Sequence, residues 1–315
     1  MNAPSTPAIV RAPFAVIQFH PGPFYPIPDS HALAVTDANS PAQLEAWEAL
    51  PGVKIFIRIF DQVAHDSSLH PHLSLNLLCA VVQATGEPDV KIAAPSTNPS
   101  TPGLPRGPVP AFMLYNISSA GADTLLRRGV WSSATITFQV IPFDPSLPDF
   151  LLVVSGFTTD DAATVKDAVL QHWLSETSLA RFMEINTSIA EQGLAHLEPD
   201  ELVPYLKSLV VEKLEMKTVG GEPAPWFNIS ADSSLIHSDE LWFAFRHFMR
   251  QLRYTTNFHG TGTCRGILSC SLCHAITHPR GLCPFPELPG WEGPLRRVIT
   301  APCRGRPARP ATRLT

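Results

Sequence analysis

No run of apolar residues in this 315-residue chain is long enough to cross a bilayer, and no charged n-region followed by an apolar stretch opens it. The expected setting is therefore intracellular, cytoplasmic or nuclear, with no membrane partner. Catalytic patterns are missing too. There is no Gly-x-Ser-x-Gly elbow, no Walker loop and no His-Glu-x-x-His, and Gly260, Gly262 and Gly266 miss the dinucleotide spacing and follow a helix rather than a strand. The expectation is a protein that is not an enzyme and takes no small-molecule substrate. Methionine is absent after Met249, and residues 241–315 contain no lysine. Only six cysteines occur, and four of them crowd into Cys264–Cys283, which disfavours a disulfide framework spread over the chain.

Within that crowd, CSLCHAITHPRGLC places Cys270, Cys273, His278 and Cys283 in a Cys-x2-Cys-x4-His-x4-Cys order. Three thiolates and one imidazole so closely spaced can close around one tetrahedral zinc ion, with protein ligands at all four positions and none left for water or substrate. Gly281 supplies backbone freedom, Pro279 extends the chain at His278, and Pro284 ends the unit. The same letters, Cys270, Cys273 and His274, spell the covalent haem-attachment pattern, which wants an export route and a downstream methionine ligand. Cys264 and His274 stand by as spare ligands, while Cys79 and Cys303 are isolated. His65, His70 and His72 near Asp66 lack a fourth convergent donor and read as a solvated loop.

Charge is divided along the chain. Residues 241–315 hold eleven Arg against Glu287 and Glu292, a balance of plus nine, so the whole-chain value of minus five leaves minus fourteen for the remainder. Such a tail suits a polyanion, because phosphate neutralisation by arginine releases counterions. The candidate nucleic-acid contacts are Arg246, Arg250 and Arg253 on one helix face, Arg265 and Arg280 beside the metal motif, and Arg296, Arg297, Arg304 and Arg306 beyond it. Arg304-Gly305-Arg306-Pro307 also has the core of a minor-groove hook, against the simpler reading of a non-specific phosphate-binding arm.

Thirty-two prolines punctuate the chain. They suggest a Pro-rich flexible arm at 1–30, a small α/β unit at 31–92 and a Pro-rich linker at 93–110. From Ala111 the order strand, helix, strand, strand, helix runs through Ala111–Ser118, Ala122–Arg128, Ala134–Phe143, Asp149–Phe157 and Asp160–Leu174. That is five elements of a ferredoxin-like, RNA-recognition-like sandwich, whose last strand would come from Phe182–Ile189 or Pro225–Ser230. Its second and third strands are mostly aliphatic and hold no Lys or Arg, so the sheet reads as a scaffold or assembly module. Ser238 caps a helix from Asp239 whose apolar face carries Leu241, Trp242, Phe245, Phe248, Met249 and Leu252. The expected class is thus α+β: a ferredoxin-like domain with C-terminal helices at 111–258, a zinc knuckle at 264–291 and a disordered basic tail at 292–315. Residues 108–258 are expected to fold without metal.

The metal motif resembles the CCHC zinc knuckle of retroviral and retrotransposon Gag proteins through Cys270, Cys273, His278 and Cys283. The wider stretch from Trp242 through HGTGT and on to GWEGP is similar to mobile-element-derived proteins of mushroom-forming fungi. A sandwich followed by a knuckle is also similar to first-open-reading-frame proteins of non-LTR retrotransposons. The resemblance implies zinc, binding of single-stranded RNA or DNA, and self-association. Gag knuckles commonly carry an aromatic residue and glycines where this chain has Ser271, His274 and Thr277. A second reading is a protein-interaction adaptor with a purely structural zinc unit.

Overall fold

The protein is described by a computed structural model covering residues 19, 27, 38–61, 63–96, 109–143, 146–218 and 220–296. Two five-stranded sheets organise it, each built from its own half of the chain and each antiparallel at every pairing. The first half runs α1 (Pro41–Glu48), β1 (Val53–Ile59), α2 (His70–Thr85), β2 (Lys91–Ala93), β3 (Phe112–Ile117), α3 (Ser119–Arg128), β4 (Val130–Trp131) and β5 (Phe138–Pro142). The second half runs β6 (Phe150–Phe157), α4 (Ala162–Trp173), α5 (Glu176–Glu191), α6 (Leu202–Lys207), β7 (Val210–Leu214), β8 (Trp226–Ser230), α7 (Asp239–Gln251), β9 (Arg253–Thr255) and β10 (Gly260–Arg265).

The sheet orders are β2-β3-β1-β5-β4 and β7-β8-β6-β10-β9. They trace one path twice. In each, the first strand is central, the third and second lie on one side, the last lies on the other, and a short strand is added at its outer edge. The five consecutive elements from Ala111 to Leu174 therefore do not form a single sheet. β3 and β5 pair with β1, which precedes the Pro-rich stretch, whereas β6 begins the second sheet. The stretch 93–110 lies between two strands of one sheet. Phe182–Ile189 is helical, within α5, and Pro225–Ser230 supplies β8 to the second sheet.

Local chemistry explains the elements. In β1 the sequence VKIFIRI alternates, so Ile55, Ile57 and Ile59 face α2 and α3 while Phe56 faces α1. Ser118, Asp161 and Ser238 each accept a backbone N–H at a helix start, as at Leu241 N to Ser238 Oγ, 3.2 Å. α7 buries Leu241, Trp242, Phe245 and Met249 against the second sheet, where they join Trp173, Phe182 and Phe227 in one core. His70 departs from the solvated-loop reading. It opens α2, is buried against Phe112, and bonds through Nε2 to the Ala64 carbonyl at 2.9 Å.

β1 is the centre of the first sheet, and β10 is the inner neighbour of β6 in the second, joining it to β9. A fragment of residues 108–258 lacks both β1 and β10, so it should show no cooperative urea transition by circular dichroism. In the full chain, Ile57→Ala should lower unfolding stability by about 2–5 kcal/mol, because Ile57 is fully buried on the central strand.

Candidate metal centre

β10 ends at Arg265 and the chain turns into a compact unit without long helices or strands. Its first turn is tight: His274 N donates to Cys270 O at 2.8 Å and Cys270 N to Ala275 O at 2.9 Å. A 3-10 turn at Arg280–Leu282 then delivers Cys283. The result brings the donor atoms of Cys270, Cys273, His278 and Cys283 within 4.8 Å of one another, the three cysteines buried and His278 half-buried beside them. The Cys273 Sγ to His278 Nε2 distance is 3.5 Å. A tetrahedron with Zn–S about 2.3 Å and Zn–N about 2.0 Å sets neighbouring donors roughly 3.5–3.8 Å apart, so the donor set and spacing fit zinc.

Electrostatics point the same way. Hydrogen bonds from the Cys273 and Cys283 thiols hold the Cys270 thiolate far below the ordinary thiol range. The bond to Cys270 pushes Cys273 up in turn, and likewise Cys283, to about 12. Three thiols this close cannot all ionise against one another. A divalent cation at their centre removes the conflict, since thiolate is the ligand form. His278 Nδ1 is hydrogen-bonded to Thr277 Oγ1 at 3.2 Å, which fixes the ring with Nε2 towards the sulfurs.

The spare donors are used elsewhere. His274 takes φ +64°, a conformation costing a non-glycine residue on the order of 1 kcal/mol. Its Nε2 bonds to the Ile59 carbonyl at 2.8 Å, and burial lowers its pKa to about 3, so it docks neutral against the end of β1. Cys264 stands on β10 near Arg250 and Arg246, with its thiol pushed up by burial.

The unit is welded to the first sheet. Asp61, at φ +61°, donates its backbone N–H to Leu272 O at 2.8 Å and offers its carboxylate to Arg280 at 2.9 Å. Phe60, Phe285 and Trp291 form a triangle of rings with centroids 5.2–5.3 Å apart. Glu292 accepts Ala134 N–H at 3.0 Å, and a Cβ on Gly293 would strike Trp291 and Thr137. Glu292, Gly293 and Arg296 thus make defined contacts while Leu295 is exposed, and residues 297–315 of the expected tail lie outside the described residues. On the other side, Asn228 Nδ2 of β8 donates to Thr277 O at 3.0 Å.

The candidate arginines separate into groups. Arg280 is engaged with Asp61, Ser271 O and Leu295 O, and Arg296 with Glu287 and Cys283 O. Arg246 donates to Leu151 O and lies over the Trp242 ring. Arg250, Arg253 and Arg265 are exposed. Arg297, Arg304 and Arg306 lie outside the described residues. β9 and β10 are hidden in the sequence because β9 has three residues and β10, GTGTCR, is glycine-rich; the alternation Thr261, Thr263 is the signal left in β10.

Comparison with protein-family models, curated proteins and solved structures finds no match to this chain. No helix among the described residues is long and apolar enough to cross a membrane.

Two outcomes follow from this geometry. Elemental analysis of chelator-free, reduced protein should find one zinc per chain, lost in Cys273→Ser and kept in Cys264→Ser. Arg280→Ala should keep the zinc yet lower unfolding stability by about 1–3 kcal/mol, because it strips a charged partner from half-buried Asp61; equilibrium urea unfolding with parallel metal analysis checks both.

Proposed function

We propose that this chain is a non-enzymatic, zinc-dependent nucleic-acid-binding protein of mobile-element, Gag-like type, acting on single-stranded RNA or DNA. In this reading each sheet with its helices is a ferredoxin-like, RNA-recognition-like module, supported by the shared strand order. Zinc holds Cys270, Cys273, His278 and Cys283 together and so fixes the arginine-bearing C-terminal part against both sheets. The carrying observation is the closed Cys3His cluster set in the strongly basic C-terminal part of the chain. The cations offered to phosphate are Arg250, Arg253, Arg265 and the arginines beyond residue 296.

An adaptor with a purely structural zinc unit is the second reading. It is favoured by the engagement of Arg280 and Arg296 inside the protein, where they brace the unit rather than face a ligand.

Fluorescence anisotropy with a labelled single-stranded 12-mer distinguishes the two. Zinc-loaded protein should bind with a log-log salt slope that falls by roughly 0.7 for each phosphate that an Arg→Ala change leaves unneutralised. Binding should drop in Cys273→Ser. Affinity that is absent, or indifferent to salt, would favour the adaptor.

A further inference from the structure

We propose that the cleft between the two sheets is a docking site for an extended, arginine-bearing peptide segment of a partner protein. The inference goes beyond the nucleic-acid reading and does not rest on it, since this surface carries charge of the opposite sign.

The cleft has a volume of about 970 Å³ and lies between β5 of the first sheet and β7 and β8 of the second. Ligand sites commonly hold about 300–1,000 Å³, so there is room for several residues of a peptide rather than a lone ion. Its charge is one-sided. Asp149, Glu212 and Asp232 line it, and among the described residues no Lys or Arg does. Phosphate is repelled by such a surface. A divalent cation is not favoured either, because among the described residues the Cys3His cluster is the one group of three or more such donors close enough to share an ion. The carboxylates are spread out instead. Glu212 pairs across strands with Asn228, and Asp232 follows Asn228 by four residues, roughly 13 Å along an extended chain. That separation suits cationic side chains set along an extended peptide, where every second residue points the same way.

The carboxylates are also available. Asp149 and Asp232 each accept a serine hydroxyl through Oδ1, from Ser233 at 2.7 Å and Ser234 at 2.6 Å, and Oδ2 of each has no hydrogen bond among the described residues. The bonds from Ser234 hold the Asp232 carboxyl below the usual carboxylate range, so it stays charged. Lys213, on the other face of β7 from Glu212, is taken by Asp160 and Glu215.

The floor of the cleft adds a second, independent mark. Asn228 shares a face with its register partner Glu212, and both line the cleft. Its side chain is 4% exposed; Nδ2 donates to Thr277 O at 3.0 Å, and Oδ1 has no donor among the described residues. A buried amide oxygen without a donor is unfavourable, and a guanidinium brings several donors in one plane, which favours arginine over lysine. Arg58, bonded to Gln139 of the same floor, does not line the cleft, and its charge is drawn to the sulfur cluster at Cys273. Val210, 50% exposed, and half-buried Leu147 give the arginine stems apolar ground to lie on.

The test uses the full, zinc-loaded chain and a fluorescein-labelled peptide, Gly-Arg-Val-Arg-Val-Arg-Gly, followed by anisotropy. Binding should saturate at one peptide per chain and weaken as salt rises. The counterpart with Lys for Arg should bind more weakly, a difference that Asn228→Ala narrows, and the counterpart with Glu for Arg should not bind. Glu212→Gln and Asp232→Asn should each weaken binding roughly two- to five-fold. The double reversal Glu212→Lys with Asp232→Lys should abolish it in a chain that keeps its zinc and its unfolding transition. Carbodiimide cross-linking of the wild type to the lysine counterpart, read by mass spectrometry, should join it to Asp149, Glu212 or Asp232, and this arm needs no variant to fold. Wild type that does not bind the peptide overturns the proposal. So does binding that survives the double reversal, or cross-linking confined to acids outside the cleft such as Glu184 and Glu191. Displacement by spermine as effective as by unlabelled peptide also overturns it, since the cleft is then a general cation site. None of these outcomes depends on whether the chain binds nucleic acid.

Discussion

A buried cation beside a cluster of sulfurs sets the terms for the whole molecule. Arg58 is 2% exposed on the α1 side of the first sheet, where burial pulls its pKa down to about 10 and attraction to the sulfur cluster at Cys273 works against that fall. An isolated guanidinium in such a place is unfavourable, and so is an isolated thiolate. Each makes the other tolerable. Gln139 accepts from Arg58 Nη2 at 3.2 Å and ties the charge to β5, so the pairing reaches across two strands of the sheet into the metal unit. A zinc-loaded centre of three thiolates and a neutral imidazole would carry one net negative charge, which Arg58 is placed to balance.

Around that pair the remaining contacts read as steric insurance. Phe60, Phe285 and Trp291 exclude water from the joint, and the backbone of Asp61 and Ile59 supplies directional bonds that fix the angle at which the unit sits. Neutral His274 accepts a strained backbone in return for one of those bonds. The second sheet is held more lightly, chiefly through Asn228 and the continuous chain of β10. A cleft of about 970 Å³ remains between the sheets, lined by Gln139, Asn228, Glu212 and Ser230 among others.

Much of this is legible in the residues, and the limits are physical. Spacing alone identifies Cys270, Cys273, His278 and Cys283 as a group, because ligand geometry acts over a few residues and leaves its mark in sequence. Periodicity finds β3, β6 and α7 for the same reason. Pairing does not show. That β1 lies between β3 and β5 depends on partners as far apart in sequence as Ile57 and Phe112, or Ile59 and Phe138. A run of five elements in ferredoxin-like order straddles two sheets that share one strand path. The roles of Arg280 and Arg296 are equally hidden, since an arginine braced against Asp61 or Glu287 looks, in one dimension, the same as one facing solvent. That Asn228 of β8 meets Thr277 of the metal unit emerges only once β8, β6 and β10 are placed in one sheet.

The bond between His274 and Ile59 joins positions 215 residues apart. On a ribosome the first sheet is complete in sequence once Pro142 has been made, yet the surface formed by Ile59, Phe60 and Asp61 has no cover until residues near 291 follow. At about 5–20 residues per second, that interval lasts on the order of ten seconds or more, with aromatic surface and a buried-type arginine exposed. Synthesis thus separates making the first sheet from sealing it.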